Sequence, residues 1–181
     1  CKKVVLLFAR GSTEPGTMGM TVGPALSSAL QRKFGAANFQ SQGISYPASI
    51  DGAVSGAINP AGAPGSKDMT KKAKAILERC PTTNIVLAGY SQGAEQVHGA
   101  LQKDNLGPDG AKIAAACTYG DPMAGERTKA LGGWGCMPEA RTQVNCAKGD
   151  GVCTGAFSIS AAHLSYTGDG SIAKCVNFVS G

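Results

Sequence analysis

Asn84-Ile85-Val86-Leu87-Ala88-Gly89-Tyr90-Ser91-Gln92-Gly93 runs from a short apolar segment straight into a G-x-S-x-G sequence. An apolar run of this length closed by glycine predicts a buried strand over 84–88, and the spacing after Ser91 predicts a helix over 92–102. A chain that turns sharply from strand into helix crowds its own backbone. Glycines at 89 and 93 remove the side chains that would collide there. Such a turn lifts the Ser91 hydroxyl above the sheet edge and makes Ser91 a candidate nucleophile. A plain glycine-rich turn would share the spacing, but it would not need a strand before it and a helix after it.

The flanking sequence repeats the strand and helix alternation. Residues 3–9 are β-branched and Leu-rich, as in a strand buried on both faces. Residues 22–34 have helical spacing and stop at Gly35. A weaker strand is expected over 39–45, then an irregular Pro- and Gly-rich connection over 46–66 holding one short helix near 51–57. An amphipathic helix follows over 68–80, with Pro81 as its stop. Strands are expected over 113–119 and 141–145, a long loop over 120–140, and a closing helix over 171–179. Alternation of this kind implies parallel pairing through right-handed crossovers. The expected fold class is α/β, a three-layer helix-sheet-helix sandwich with a mainly parallel central sheet.

The chain has 181 residues, 43% hydrophobic and 16% charged, which excludes a disordered or acidic-tail protein and suits a single domain over 1–181. It holds 26 glycines and 27 alanines against 6% aromatics, so the core must rely on close backbone approach. The longest apolar run near the start, 4–9, is far below the roughly 20 residues of a membrane helix, so no membrane insertion is expected. Seventeen basic against twelve acidic residues give +5. The densest basic group, Lys67, Lys71, Lys72, Lys74 and Arg79, alternates with Asp68 and Glu78 on the amphipathic helix. That is a solvated face, and no nucleic-acid partner is expected. The chain opens at Cys1, which reads as a mature form whose leader has been removed. None of its seven cysteines has zinc-site spacing, so disulfides in a secreted chain are expected and no metal.

A serine nucleophile needs a base, and there are two histidines. His98 lies seven residues beyond Ser91 on the same helix, roughly 10 Å further along, and is read as a surface or packing residue. His163 remains. The orienting carboxylate is expected between Ser and His in the chain. Asp104 and Asp109 fall at the wrong end of the sheet. Asp121, at the end of the 113–119 strand, is a rival, though better read as a turn residue before Pro122. Asp150 follows the next strand between Cys146 and Cys153, where a small disulfide ring would hold it against the imidazole.

Arg10-Gly11-Ser12-Thr13-Glu14, Gly89 to Gly93, Gly149-Asp150-Gly151-Val152-Cys153 and Ala162-His163-Leu164 together resemble the cutinase family of secreted serine esterases, lidless α/β-hydrolases. The resemblance runs from Cys1 to the closing helix. It implies hydrolysis of cutin-type polyesters and short-chain esters by a monomer, with no cofactor. Ser91, His163 and Asp150 would form the triad. Ser12 would be one oxyanion donor, and the Gln92 amide, which also opens a helix, would be the other. The same resemblance implies bonds between Cys1 and Cys80 and between Cys146 and Cys153, and an apolar crevice lined by Phe157, Ile159, Leu164 and, on the far wall, Ile50. Core packing explains any one of these four equally well. Of Cys117, Cys136 and Cys175, either two pair or all are reduced, and Cys117, placed mid-strand, is the candidate for a buried free thiol. Gly120-Asp121-Pro122-Met123 looks more like the related acetylxylan esterases, which stay open as an alternative. A non-catalytic binding protein would have lost a triad member, and none is lost.

Overall fold

The computed structural model describes all of residues 1–181. Strands β1 (Val4–Ala9), β2 (Phe39–Gly43), β3 (Asn84–Tyr90), β4 (Ala115–Tyr119) and β5 (Thr142–Asn145) form one sheet in the order β2-β1-β3-β4-β5, and every neighbouring pair is parallel. β1 lies between two partners and all six of its residues are buried. β2 is an edge strand, and its Gln-rich sequence leaves only Phe39 fully buried.

Alternation along β1 divides the core in two. Val5, Leu7 and Ala9 point into one layer with Met69, Ala73 and Ile76 of α3 (Pro64–Arg79) and Val97 and Leu101 of α4 (Gln92–Leu101). Val4, Leu6 and Phe8 point into the other, against Leu26 and Leu30 of α1 (Val22–Phe34) and Val176 of α6 (Ser171–Ser180). Each of the larger side chains among them, from Val to Phe, contributes roughly 1.5–3 kcal/mol when fully buried. The result is the expected helix-sheet-helix sandwich. Two shorter helices, α2 (Ile50–Ile58) and α5 (Glu126–Ala130), lie outside this pattern.

Two helices depart from expectation. α3 starts at Pro64, four residues before the expected start at 68, because proline at the first helical position has no N–H to lose. α5 lies inside the expected 120–140 loop, and five residues are too few to show a helical stripe. The order of the strands also fixes where a ligand can enter. The chain leaves β1 toward β2 on one side and returns to β3 on the other, so the carboxyl ends of β1 and β3 border a crevice.

Three disulfides join Cys1 to Cys80, Cys146 to Cys153 and Cys117 to Cys175, and Cys136 is free and exposed. The expectation of a free Cys117 is therefore wrong. Cys117 faces the layer that α6 covers, and the inward face of α6 carries Cys175. Fifty-eight residues separate the two, so only the packing of α6 on β4 reveals the pair.

Of the two readings of His98, packing holds and surface does not, and Asp121 serves as a turn residue but also as a buried partner of His98. Both are fully buried, and His98 Nε2 lies 2.7 Å from Asp121 Oδ2. Asp121 Oδ1 accepts from the Met123 amide at 2.8 Å, while the His98 ring stacks on Trp134 with centroids 4.2 Å apart. Burial alone would raise the Asp121 carboxyl. The charge and hydrogen bond of His98, with the Met123 amide, outweigh it and hold Asp121 below the ordinary carboxylate range. The pair ties the glycine-rich segment after β4 to α4.

Removing the Cys117–Cys175 bond by double alanine substitution is expected to cost about 4 kcal/mol on the chain-entropy account, read as a loss of thermal stability. Asp121→Asn is expected to lower stability at neutral pH by about 3 kcal/mol, because His98 loses its buried partner. A depressed carboxyl contributes fully above its unfolded-state value and loses that contribution as pH falls through its folded-state value. The deficit of the variant should therefore shrink below about pH 4 in urea melts taken across pH.

Candidate active site

Ser91 stands between β3 and α4 with φ 57° and ψ −119°, a left-handed conformation unusual for a residue with a side chain. Its N–H donates to the Tyr119 carbonyl at 2.9 Å, which fastens the turn to the end of β4. The flanking glycines are sterically required. A Cβ on Gly93 would stand 1.9 Å from the Ala9 carbonyl oxygen, and one on Gly89 would stand 2.3 Å from the Gly93 carbonyl oxygen.

The loop after β1 meets this turn directly. The Ser12 hydroxyl donates to Gln92 Oε1 at 2.9 Å, so Ser12 and the first residue of α4 are joined side chain to side chain. The first amides of a helix lack intrahelical partners, which leaves Gln92 N–H suited to a developing negative charge. Glu14 organises the loop, a role the sequence did not disclose. Its carboxylate accepts from the amides of Gly11, Met20 and Thr21 and from the Thr21 hydroxyl.

His163 is 2% exposed, and its Nδ1 lies 2.8 Å from Asp150 Oδ2. With Nδ1 protonated toward the carboxylate, Nε2 keeps its lone pair. Asp150 lies behind the ring, with Oδ1 accepting from the Val152 amide at 3.0 Å and Oδ2 also accepting from the Tyr166 hydroxyl. Burial and the adjacent Asp150 carboxylate push the Tyr166 phenol above its ordinary range, so it stays a donor. Tyr90 stacks on the imidazole with centroids 5.1 Å apart and donates its hydroxyl to the His163 carbonyl at 2.7 Å. Gly120 closes the other side. A Cβ there would come within 2.6 Å of the His163 ring and 3.1 Å of Asp150 Oδ2. No motif discloses these roles of Tyr90, Tyr166 and Gly120, because each acts by lying against a residue that only the fold brings near.

Ser91, His163, Ser12 and Gln92 line one cleft of about 490 Å³, together with Ile50, Phe157, Ile159 and Leu164. These four apolar residues are 55–70% exposed and are therefore not core residues. Asp121, the rival acid, is turned away from His163 toward His98. The cleft also holds an unanticipated acid, Glu95, one helical turn beyond Ser91.

The cutinase family model matches residues 1–181. A cutinase of Pyricularia oryzae is 39% identical over 168 residues, covering 92% of this chain and 75% of that protein. The structure of a Trichoderma reesei cutinase in complex with a phosphonate inhibitor superposes with a TM-score of 0.83 at 35% identity, covering 100% of this chain and 78% of the other. The catalytic core of an acetyl xylan esterase from the same fungus superposes at 0.75 over 99% of this chain and 98% of its own, but at 22% identity that likeness speaks for the fold alone. The strand order, the glycine-flanked Ser91 and a sequence match along the whole chain agree, and the chain belongs to the cutinase family.

Proposed function

We propose that the protein is a secreted serine esterase that hydrolyses cutin-type polyesters and short-chain esters through an acyl-enzyme. The observation that carries this reading is the Asp150–His163 pair, buried and hydrogen-bonded at 2.8 Å, beside a cleft that Ser91 also lines. His163 Nε2 takes the Ser91 proton as the hydroxyl oxygen attacks the ester carbonyl. Asp150 holds the ring in the required tautomer and stabilises its cation. The Gln92 amide and Ser12 stabilise the oxyanion. The imidazolium then returns its proton to the departing alcohol, and water repeats the sequence to free the acid and restore Ser91.

The exposed Ile50, Phe157, Ile159 and Leu164 surround the cleft with apolar surface, which supports an ester carried on a hydrocarbon chain or an insoluble polymer. This favours a polyester over acetylated xylan. The segment 120–123, which suggested the xylan reading, has Asp121 committed to a buried bond with His98 and Gly120 packed on His163. Three disulfides support an oxidising, extracellular location. No helix is long and apolar enough to cross a membrane. We read the whole chain as one catalytic domain acting as a monomer.

Ser91→Ala is expected to abolish hydrolysis of a short-chain nitrophenyl ester while leaving the melting temperature near that of the parent. Residual turnover above about one part in a thousand would remove Ser91 from its role. Asp150→Asn is expected to lower kcat about 10⁴-fold, because the carboxamide favours the wrong imidazole tautomer.

A further inference from the structure

Glu95 lies one turn of α4 beyond Ser91, with its backbone about 6 Å further along the helix axis. It is fully buried, and neither carboxyl oxygen has a hydrogen-bond partner. Burial, followed by the charge of Asp121, pushes its carboxyl up to about 9. At neutral pH the group is therefore a neutral acid, with one O–H to donate and a carbonyl oxygen to accept.

The neighbouring helix gives it no partner. α2 presents Gly56 to Glu95 and Gly52 to Gln92. A Cβ at either position would stand 2.5 Å from Glu95 Oε1 or from Gln92 Nε2. The two glycines let α2 lie close over α4 while offering no polar side chain. The next polar groups along α4 are already engaged: Gln96 binds the Ser66 amide and the Gln92 carbonyl, and His98 binds Asp121. Other residues of α2, Ile50, Ala53 and Val54, line the same cleft as Ser91, and Glu95 and Pro122 line it with them. Glu95 is thus the residue of this largely apolar stretch beside Ser91 whose buried polar group is left without a partner.

A buried acid with nothing to bond weakens the fold, unless a ligand completes it. A hydrocarbon chain laid along α2 leaves both oxygens unpaired. A hydroxyl, itself donor and acceptor, pairs with both. We propose that Glu95 is a specificity-determining residue of this cleft, forming a hydrogen-bonding subsite for a hydroxyl that the substrate carries on its acyl chain or on its alcohol portion. The subsite rests on the esterase reading given above and deepens it.

Pairs of substrates in which a hydroxyl replaces a methyl group test this directly. On the acyl side, nitrophenyl ω-hydroxyhexanoate is compared with nitrophenyl heptanoate. On the alcohol side, hydroxyethyl butyrate is compared with propyl butyrate. The parent enzyme is expected to favour the hydroxylated member of one pair by about tenfold or more in kcat/KM, and the pair that responds says which portion reaches Glu95. Glu95→Leu should erase the preference, and Glu95→Gln, which also donates and accepts, should keep it. The ratio within a pair does not depend on how much of a variant folds, so a destabilised variant still reports. Ratios near one for both pairs in the parent, or a Glu95→Leu ratio equal to that of the parent, would overturn the subsite. Absence of turnover of all four esters by the parent would overturn the esterase reading and the subsite with it.

Discussion

The backbone of α4 touches the end of β1 at Gly93, where a Cβ would stand 1.9 Å from the Ala9 carbonyl oxygen. This contact exists because β1 and β3 are neighbours in the sheet, and the rest of the site follows from it. α4 leaves β3 so steeply that Ser91 must take a left-handed conformation. The loop leaving β1 comes so near that Ser12 bonds the side chain of Gln92. A methyl group at position 93 would separate Ser91, the proposed nucleophile, from the loop proposed to share the oxyanion.

The interior holds two histidine–carboxylate pairs of the same chemistry and opposite situation. His163 and Asp150 sit at the edge of the cleft, braced by Tyr90 and Tyr166. His98 and Asp121 are sealed from solvent, with Trp134 stacked on the ring. His163 of the first pair lines the cleft, while the second pair ties the segment leading away from β4 to α4. Gly120 links them, since it packs on His163 and immediately precedes Asp121. Glu95 is the third buried acid, kept neutral by burial and by the charge of Asp121, and neither of its oxygens has a partner, which gives its place among the residues lining the cleft chemical meaning.

Most of the sheet was legible from composition along the chain, because a central parallel strand is buried on both faces and reads as an apolar run, as β1 does and as β3 does after Asn84. Boundaries set by capping were less so. α3 begins at a proline that carries no amphipathic signal, and α5 is too short to show one. Among the cysteines, the bracket around Asp150 is local and visible in the sequence. The Cys117–Cys175 bond spans two layers of the fold and left no pattern. Distance along one helix separates His98 from Ser91. That distance carries no information about what lies opposite the His98 ring, which is Asp121 and Trp134.

The G-x-S-x-G spacing, the chain order of Ser91, Asp150 and His163 and the strand and helix alternation are properties of neighbours in sequence, where steric crowding and hydrophobic periodicity act directly. They are enough to name the fold class and the candidate nucleophile, acid and base. The choice between Asp150 and Asp121 as partner of His163, the bracing tyrosines, the third disulfide and the unpaired Glu95 depend on which residues meet across layers. Those meetings follow from burying both faces of one sheet at once, and the chain records that requirement nowhere locally.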